Sequence, residues 1–264
     1  MPEQRLTFVH LSDTHISTDP EYGKHHTAHS TQAGAEALVK AVNALPFNVD
    51  FILHTGDVVY DPVPEAYLTA RDILSKLARP VYYLSGNHDS GADLQRVLLG
   101  RTEILSPFYY TFDANGFQMV GLDSNGPAEV LRGNIIPQQL EWLDAICSAH
   151  DDRPLIVAVH HNVLPVGSPW LDNYMGITNG LALHQILLKA KDRLRGVFFG
   201  HVHQNIQMFQ EGILYTSAAS SWNQFNSWPA SSETVPDGEN PGFNVVSVTE
   251  NQTFIRRWNF EVEI

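Results

Sequence analysis

The sequence predicts an α/β fold, and three features carry the prediction. Short apolar runs alternate with segments of helical period through most of the chain. Hairpin-like strand pairs are added in the middle and at the end. Five of the segments finish in a polar residue of metal-binding type just past an apolar strand pattern. In open α/β sheets the ligand crevice lies beyond the carboxyl ends of the strands, so the third feature joins the fold to a function.

In chain order, residues 6–11 (LTFVHL) are apolar except at His10 and read as a strand, with Ser12-Asp13-Thr14-His15 as the loop at its carboxyl end. Residues 16–30 are polar, hold His25, His26 and His29, and read as an exposed loop at the edge of the site rather than a further metal cluster. From Thr31 the run TQAGAEALVKAVNAL places Ala, Leu and Val at three- and four-residue spacing, a helix that Pro46 stops. Phe51-Ile52-Leu53 is a buried strand, after which Gly56 lets the backbone turn and Asp57 projects past the strand end. Residues 63–78 read as an amphipathic helix with Pro64 in its first turn.

Residues 80–85 (PVYYLS) are a third strand running into Gly86-Asn87-His88-Asp89, and 92–99 a short helix. Residues 108–112 and 117–122 flank Asp113-Ala114-Asn115-Gly116, whose Asn-Gly pair signals a hairpin. A helix at 137–150 precedes a strand at 155–159 that leads to His160-His161. A helix at 181–191 precedes a strand at 196–199 that leads to Gly200-His201-Val202-His203. Short strands at 205–210, 213–216, 243–249 and 253–260 close the chain, with 217–241, rich in Ser, Asn, Pro and Trp, as a long loop. No repeat or linker divides residues 1–264, which are expected to form one domain.

Composition narrows the function. Sixteen basic against 29 acidic residues give a net charge of −13, the wrong sign for a protein that grips long nucleic acid by its phosphates. A small anionic substrate drawn to bound metal ions remains compatible with that charge. No run approaches the ~20 apolar residues of a membrane span, and the start, MPEQRLTFVHLSD, lacks the apolar region of a signal peptide. The single cysteine, Cys147, reads as a core residue on a helix and fits a reducing compartment, so the expectation is a cytoplasmic protein. The last strands either extend the sheet or pair with a second copy, which leaves a homo-oligomer open.

The candidate metal ligands are Asp13, His15, Asp57, Asn87, His160, His201 and His203. Carboxylate and imidazole donors without a thiolate suit Mn, Fe, Zn, Co or Ni. Asp13 and His15 are two apart, as are His201 and His203, and in an extended chain each pair would point the same way. Seven donors exceed one tetrahedral ion and match two divalent or trivalent ions that share Asp57. Two such ions about 3.5–4 Å apart clamp a phosphate and lower the pKa of bound water. Asn87 adds an oxygen without charge, and His88 is placed to donate a proton or hydrogen bond to the phosphate or leaving oxygen.

Together, Asp13-x-His15, Gly56-Asp57, Gly86-Asn87-His88-Asp89, His160 and Gly200-His201-x-His203 resemble the signature of the calcineurin-like metallophosphoesterases, in the right order across residues 13–203. Within that superfamily the chain is similar to the small bacterial branch of cyclic-nucleotide and glycerophosphodiester phosphodiesterases. The resemblance implies a four-layer α/β/β/α sandwich of two mixed sheets flanked by helices. It implies one ion held by Asp13, His15, Asp57 and His203, a second held by Asp57, Asn87, His160 and His201, and His88 as the catalytic histidine. Two departures stand out. Gly56-Asp57-Val58-Val59-Tyr60-Asp61 lacks the arginine of the phosphoprotein phosphatases, and His161 is followed by Asn162-Val163-Leu164-Pro165 where related diesterases often have two prolines.

Other residues are weaker candidates. His161 and Asn125 are candidate substrate contacts. Asp61 and Asp89 are candidates to orient His88 or a ligand imidazole. Trp222, Phe225 and Trp228 either stack on a base or pack between loop and core. His10 and His54 lie within strands, where a hydrogen-bonded core histidine is expected. The function expected is hydrolysis of small phosphodiesters by a hydroxide bridging the two ions, with a phosphomonoesterase or nucleotide pyrophosphatase as the enzymatic alternative. A scaffold that has lost its chemistry is the non-enzymatic alternative, and it should lack ligands, yet none of the seven is missing.

Overall fold

Leu6 and Phe8 alternate with Val9 and Leu11 along strand β1 (Arg5–Leu11), and both sets are buried, which requires a packed layer on each face of its sheet. The structure, a computed structural model, describes residues 5–128, 131–227, 229, 235–236 and 240–263. β1 is the middle strand of a five-stranded sheet with β2 (Phe51–His54), β3 (Val81–Tyr83), β12 (Gly242–Thr249) and β13 (Thr253–Asn259), in the order β13-β12-β1-β2-β3. β1, β2 and β3 are parallel, whereas on the other side β12 pairs antiparallel with β1 and β13 antiparallel with β12.

The second sheet has six strands, β4 (Tyr110–Ala114), β5 (Phe117–Gly121), β6 (Leu155–Ala158), β7 (Leu194–Phe199), β9 (Ile213–Ser217) and β8 (Gln207–Gln210), in that order. Its inner strands β5, β6, β7 and β9 are parallel and its edges β4 and β8 antiparallel. Phe8, Phe51 and Leu53 from the first sheet meet Met119, Ile156 and Phe198 from the second in a core between the sheets. Helices α1 (Thr31–Asn43) and α2 (Pro64–Leu74) cover the outer face of the first sheet on Val9, Leu11 and Ile52. Helices α4 (Pro137–Ser148) and α6 (Gly180–Leu187) cover the second on Val157, Val197 and Phe199. This is the expected four-layer α/β/β/α sandwich of two mixed sheets.

Local signals explain most boundaries. The Ser30 hydroxyl caps α1 by accepting from Ala33 N, and Leu38 and Val42 continue the buried face. Pro64 and Pro137 begin α2 and α4, where a missing N–H costs nothing. Asn115 and Gly116 take positive φ between β4 and β5, as a tight hairpin needs.

Three expectations are revised. The short helix at 92–99 is a single turn, α3 (Gly91–Asp93), running into a π-helical turn at Leu94–Leu98. A helix not foreseen, α5 (Pro169–Tyr174), follows β6. The segment 217–241 is not simply a long loop. Ser217 ends β9, residues 220–224 are buried, and the short strands β10 (Phe225–Asn226) and β11 (Val235–Pro236) pair with each other. Among the described residues, no helix is long and apolar enough to cross a membrane.

Candidate metal centre

All five polar segments leave the carboxyl ends of β1, β2, β3, β6 and β7, and their side chains meet. In one lobe, His15 Nε2 lies 3.0 Å from His203 Nε2, 3.9 Å from Asp13 Oδ1 and 3.6 Å from Asp57 Oδ2. In the other, His160 Nε2 lies 3.3 Å from the same Asp57 Oδ2 and 3.1 Å from Asn87 Oδ1, with the His201 ring 5.0 Å from that of His160. One carboxylate oxygen therefore stands between the two lobes.

The distal nitrogens of the imidazoles show which atoms face the centre. His160 Nδ1 donates to Thr55 O at 2.8 Å, His203 Nδ1 to Asn223 O at 3.0 Å and His201 Nε2 to Leu131 O at 3.0 Å. Each ring then turns its other nitrogen inward, where it can serve a metal ion once free of a proton. A buried set of imidazole nitrogens and carboxylates, with no lysine or arginine lining the site among the described residues, fits first-row metal ions.

The backbone reaches this arrangement by another route than extended chain. Asp13, His15, Asp57, His201 and His203 all have positive φ, from 45° to 68°. The expectation that alternate side chains of a strand reach one ion is corrected here: each pair sits in a left-handed turn past its strand. Left-handed backbone costs a non-glycine residue energy, and surrounding contacts must hold it. Asp13 N donates to Gly56 O and His15 N to Asp57 O, both at 3.0 Å, while both Asp13 carboxylate oxygens accept from His201 N. Close approach also needs glycine: a Cβ on Gly86 would lie 2.1 Å from Asp57 Oδ1, and one on Gly200 would lie 1.9 Å from Ser12 Oγ.

Burial works against a charge on Asp57, but the His160 imidazole, followed by His15 and His88, holds its carboxyl well below the usual range. Asp13, beside it, is raised by burial despite His203 and His160. Burial likewise favours neutral His160, yet Asp57, Asp13 and the Thr55 carbonyl outweigh it and lift the imidazole to about 9. Burial keeps His15 neutral, and takes His201, beside His160, down to about 3.

His88 is half-buried at the cavity edge. Its Nδ1 donates to Tyr60 O at 2.8 Å and its backbone N to Asp57 Oδ1 at 2.9 Å. Asp89, expected to orient an imidazole, instead accepts from Val58 N, Val59 N, Gly86 N and the Tyr67 hydroxyl, tying the loop after β2 to the loop after β3. Replacing it by alanine strands three backbone donors and is expected to cost about 3 kcal/mol of stability. Urea unfolding of the metal-free protein measures this, and a loss below about 1 kcal/mol would contradict the bridging role.

Asp61, the other candidate to orient an imidazole, is exposed, and its backbone carbonyl accepts from Val63 N. Asn125 does not line the cavity: its amide donates to Ser85 Oγ and Gly86 O, pinning the turn before Asn87. His161 does not line the cavity: it is fully buried beside His201 with Nδ1 on Ser124 Oγ and Nε2 unpartnered among the described residues, and a ring nitrogen lies within 4.8 Å of those of His160 and His201. His10 and His54 are core histidines, bonded to Thr55 and Thr14, and burial lowers each to about 3. His25 and His26 are exposed, and His26 reaches the cavity rim. Trp222 packs between His15 and Tyr22, and Phe225 stacks on His203. Trp228 lies outside the described residues, and Cys147 is a buried free thiol on α4.

A cavity of about 270 Å³ opens onto both lobes and is lined by His15, Asp57, Asn87, His88, His201 and His203. Tyr60, Leu131, Trp170, Met175 and Asn223 also line it and carried no sequence signal. Asn223 and Leu131 act through carbonyls, which composition does not reveal.

Comparison with known proteins places this geometry. The chain is 32% identical over 238 residues to a Pseudomonas aeruginosa protein named 3′,5′-cyclic adenosine monophosphate phosphodiesterase CpdA, covering 90% of this chain and 84% of that one. Its fold matches the crystal structure of a dimetal phosphatase from Danio rerio with a TM-score of 0.68 at 15% identity, over 97% of this chain and 99% of the other. It matches GAP50, the anchor in the inner membrane complex of Plasmodium, at 0.62 and 16% identity, over 98% and 90%. These likenesses show the fold alone, and one of those proteins is described as an anchor. The family comes from the sequence: a model described as calcineurin-like phosphoesterase matches residues 6–205, most of the chain, and the protein belongs to that family.

Proposed function

We propose that this protein is a dinuclear metal-dependent phosphodiesterase acting on 3′,5′-cyclic nucleotides. The observation that carries the reading is the single Asp57 oxygen 3.6 Å from His15 and 3.3 Å from His160, on a residue that lines a small cavity. The Pseudomonas relative named as a cyclic AMP phosphodiesterase supports the substrate class.

Asp13, His15, Asp57 and His203 would hold one ion, and Asp57, Asn87, His160 and His201 the other, with Mn, Fe, Zn, Co or Ni compatible with the donors. When bound, such a pair lowers the pKa of water and draws charge from the phosphoryl oxygens. The protein's own part is to fix the ligand nitrogens, through Thr55, Leu131 and Asn223, and to present His88 at the rim. Hydrogen-bonded through Nδ1 to Tyr60 O, His88 keeps Nε2 for a proton or hydrogen bond to the leaving oxygen.

Among the described residues the cavity is lined by no lysine or arginine. A phosphodiester, with one negative charge, needs less compensation there than a dianionic monoester, which favours the diester over the phosphatase alternative. A cytoplasmic setting belongs to this reading and is supported by the single buried thiol.

The test is a panel of 3′,5′-cyclic AMP, a glycerophosphodiester, bis(p-nitrophenyl) phosphate and p-nitrophenyl phosphate, assayed with Mn²⁺ and after chelation, with elemental analysis. Diesters should turn over faster than the monoester, chelation should abolish the rate, and two metal equivalents should be recovered. A chelator-resistant rate, or a faster monoester, would overturn the proposal.

A further inference from the structure

The residues that line the cavity fall into two chemical sets: the metal-type donors with His88, and the apolar Leu131, Trp170, Met175 and Phe225. We infer that Trp170 is the stacking platform for the substrate's nucleobase and sets the preference for nucleotides over polyol phosphodiesters, an inference that rests on the phosphodiesterase reading above.

The choice among the aromatics follows from which ring faces are already covered. Trp222 is 5% exposed, its Nε1 donates to Gly23 O at 3.3 Å, and its ring is enclosed by His15, Tyr22, His26 and Tyr60. Phe225 lies flat on His203, with centroids 4.3 Å apart and planes 2° from parallel, so one face is occupied by a proposed metal ligand. Tyr60 packs against Tyr22 at 4.4 Å and lends its carbonyl to His88. Trp170 packs in part on the second-sheet core, is half-buried, and among the described residues has no stacked aromatic partner, meeting Phe225 and Tyr174 at 6.4 and 6.1 Å with planes 68° and 50° apart.

Its backbone is nevertheless held firmly. Leu171, fully buried, and Met175, 4% exposed, anchor α5 in the core beneath it. The Asp172 carboxylate accepts from Val166 N and Gly167 N, closing the turn before the helix, and Arg132 donates to Asn173 O. A large aromatic on a fixed backbone loses little freedom when a ligand stacks on it. A nucleobase has a flat π-face to offer that indole, whereas a glycerol moiety has none.

The experiment titrates Mn²⁺-loaded wild type, Trp170→Ala and Trp170→Phe with 5′-AMP and ribose 5-phosphate by calorimetry, alongside circular dichroism. Wild type should bind 5′-AMP about 5- to 150-fold more tightly than ribose 5-phosphate, the range for one stacked base. Trp170→Ala should bring that ratio to about one at unchanged ribose 5-phosphate affinity, and Trp170→Phe should keep most of it. A ratio unchanged in Trp170→Ala, an equal loss for both ligands, or no preference in wild type would overturn the inference. The two proposals fail separately: a protein that hydrolyses no phosphodiester but prefers 5′-AMP through Trp170 sinks only the reaction. Hydrolysis of diesters without a base preference sinks only the platform.

Discussion

Asp57→Asn should abolish turnover, lowering kcat/KM on bis(p-nitrophenyl) phosphate by more than about 10³-fold. Changing a residue that merely supports a metal ligand typically costs 10- to 100-fold, and Asp57 would be lost to two ions at once. The amide keeps an oxygen to accept from His88 N, so the turn after β2 should survive and the melting curve of the metal-free variant should stay cooperative. A second readout needs no activity. In the metal-free protein Asp57 and Asp13 hold the His160 imidazole at about 9, above its ordinary 6.5, so the ring carries its proton at neutral pH. A metal ion entering below about pH 9 must displace that proton, so metal affinity should rise as pH rises toward 9 and level off above it. In Asp57→Asn the main source of the lift is gone, and an imidazole titration near pH 9, followed by NMR, should move down. Full turnover and metal content in the variant, or no shift in the titration, would refute the shared-ligand arrangement.

The sequence was legible where chemistry and patterning coincide. An apolar run that stops at Gly56-Asp57 or Gly200-His201 specifies both a strand and what stands at its end, and several such ends on parallel strands must face one edge. What stayed hidden was how the side chains get there. Strand alternation suggested that Asp13 and His15 point the same way because they are extended, whereas both adopt left-handed backbone held by carbonyls of the neighbouring loop. That requires the partner loop, which local sequence does not contain. Composition marked 217–241 as a long loop without showing that part of it is buried. Ser220 donates to Asp13 O, Asn223 accepts from His203 and Gln224 donates to Ser220 O, so their polarity is satisfied inside the protein. Helix α5 was missed because six residues, with Leu171 as the buried position and Met175 just past the end, give too short a periodic signal. Asn125 shows the converse error: a polar residue near the ligands in sequence, yet bonded to the Gly86 turn instead of facing the cavity.

His88→Ala should slow hydrolysis of 3′,5′-cyclic AMP by about 10²- to 10⁴-fold, the usual contribution of a positioned proton donor. The same change should cost bis(p-nitrophenyl) phosphate far less. The ribose alkoxide leaving a cyclic nucleotide is strongly basic and must be protonated as it departs, whereas p-nitrophenolate is stable as an anion. The contrast separates proton donation from a purely structural role, since a collapsed site would slow both substrates together. Collapse is a real alternative here: the His88 ring packs 4.9 Å from His15 and 5.1 Å from Tyr60, and its backbone N–H reaches Asp57. His88→Gln keeps a side-chain hydrogen-bond donor but cannot transfer a proton. It should therefore hold metal as wild type does while showing the cyclic AMP defect. Equal losses on the two substrates, with metal content reduced in both variants, would move His88 from proton donor to support for the centre. Unequal losses at full metal content would leave its Nε2 as the group that meets the departing oxygen.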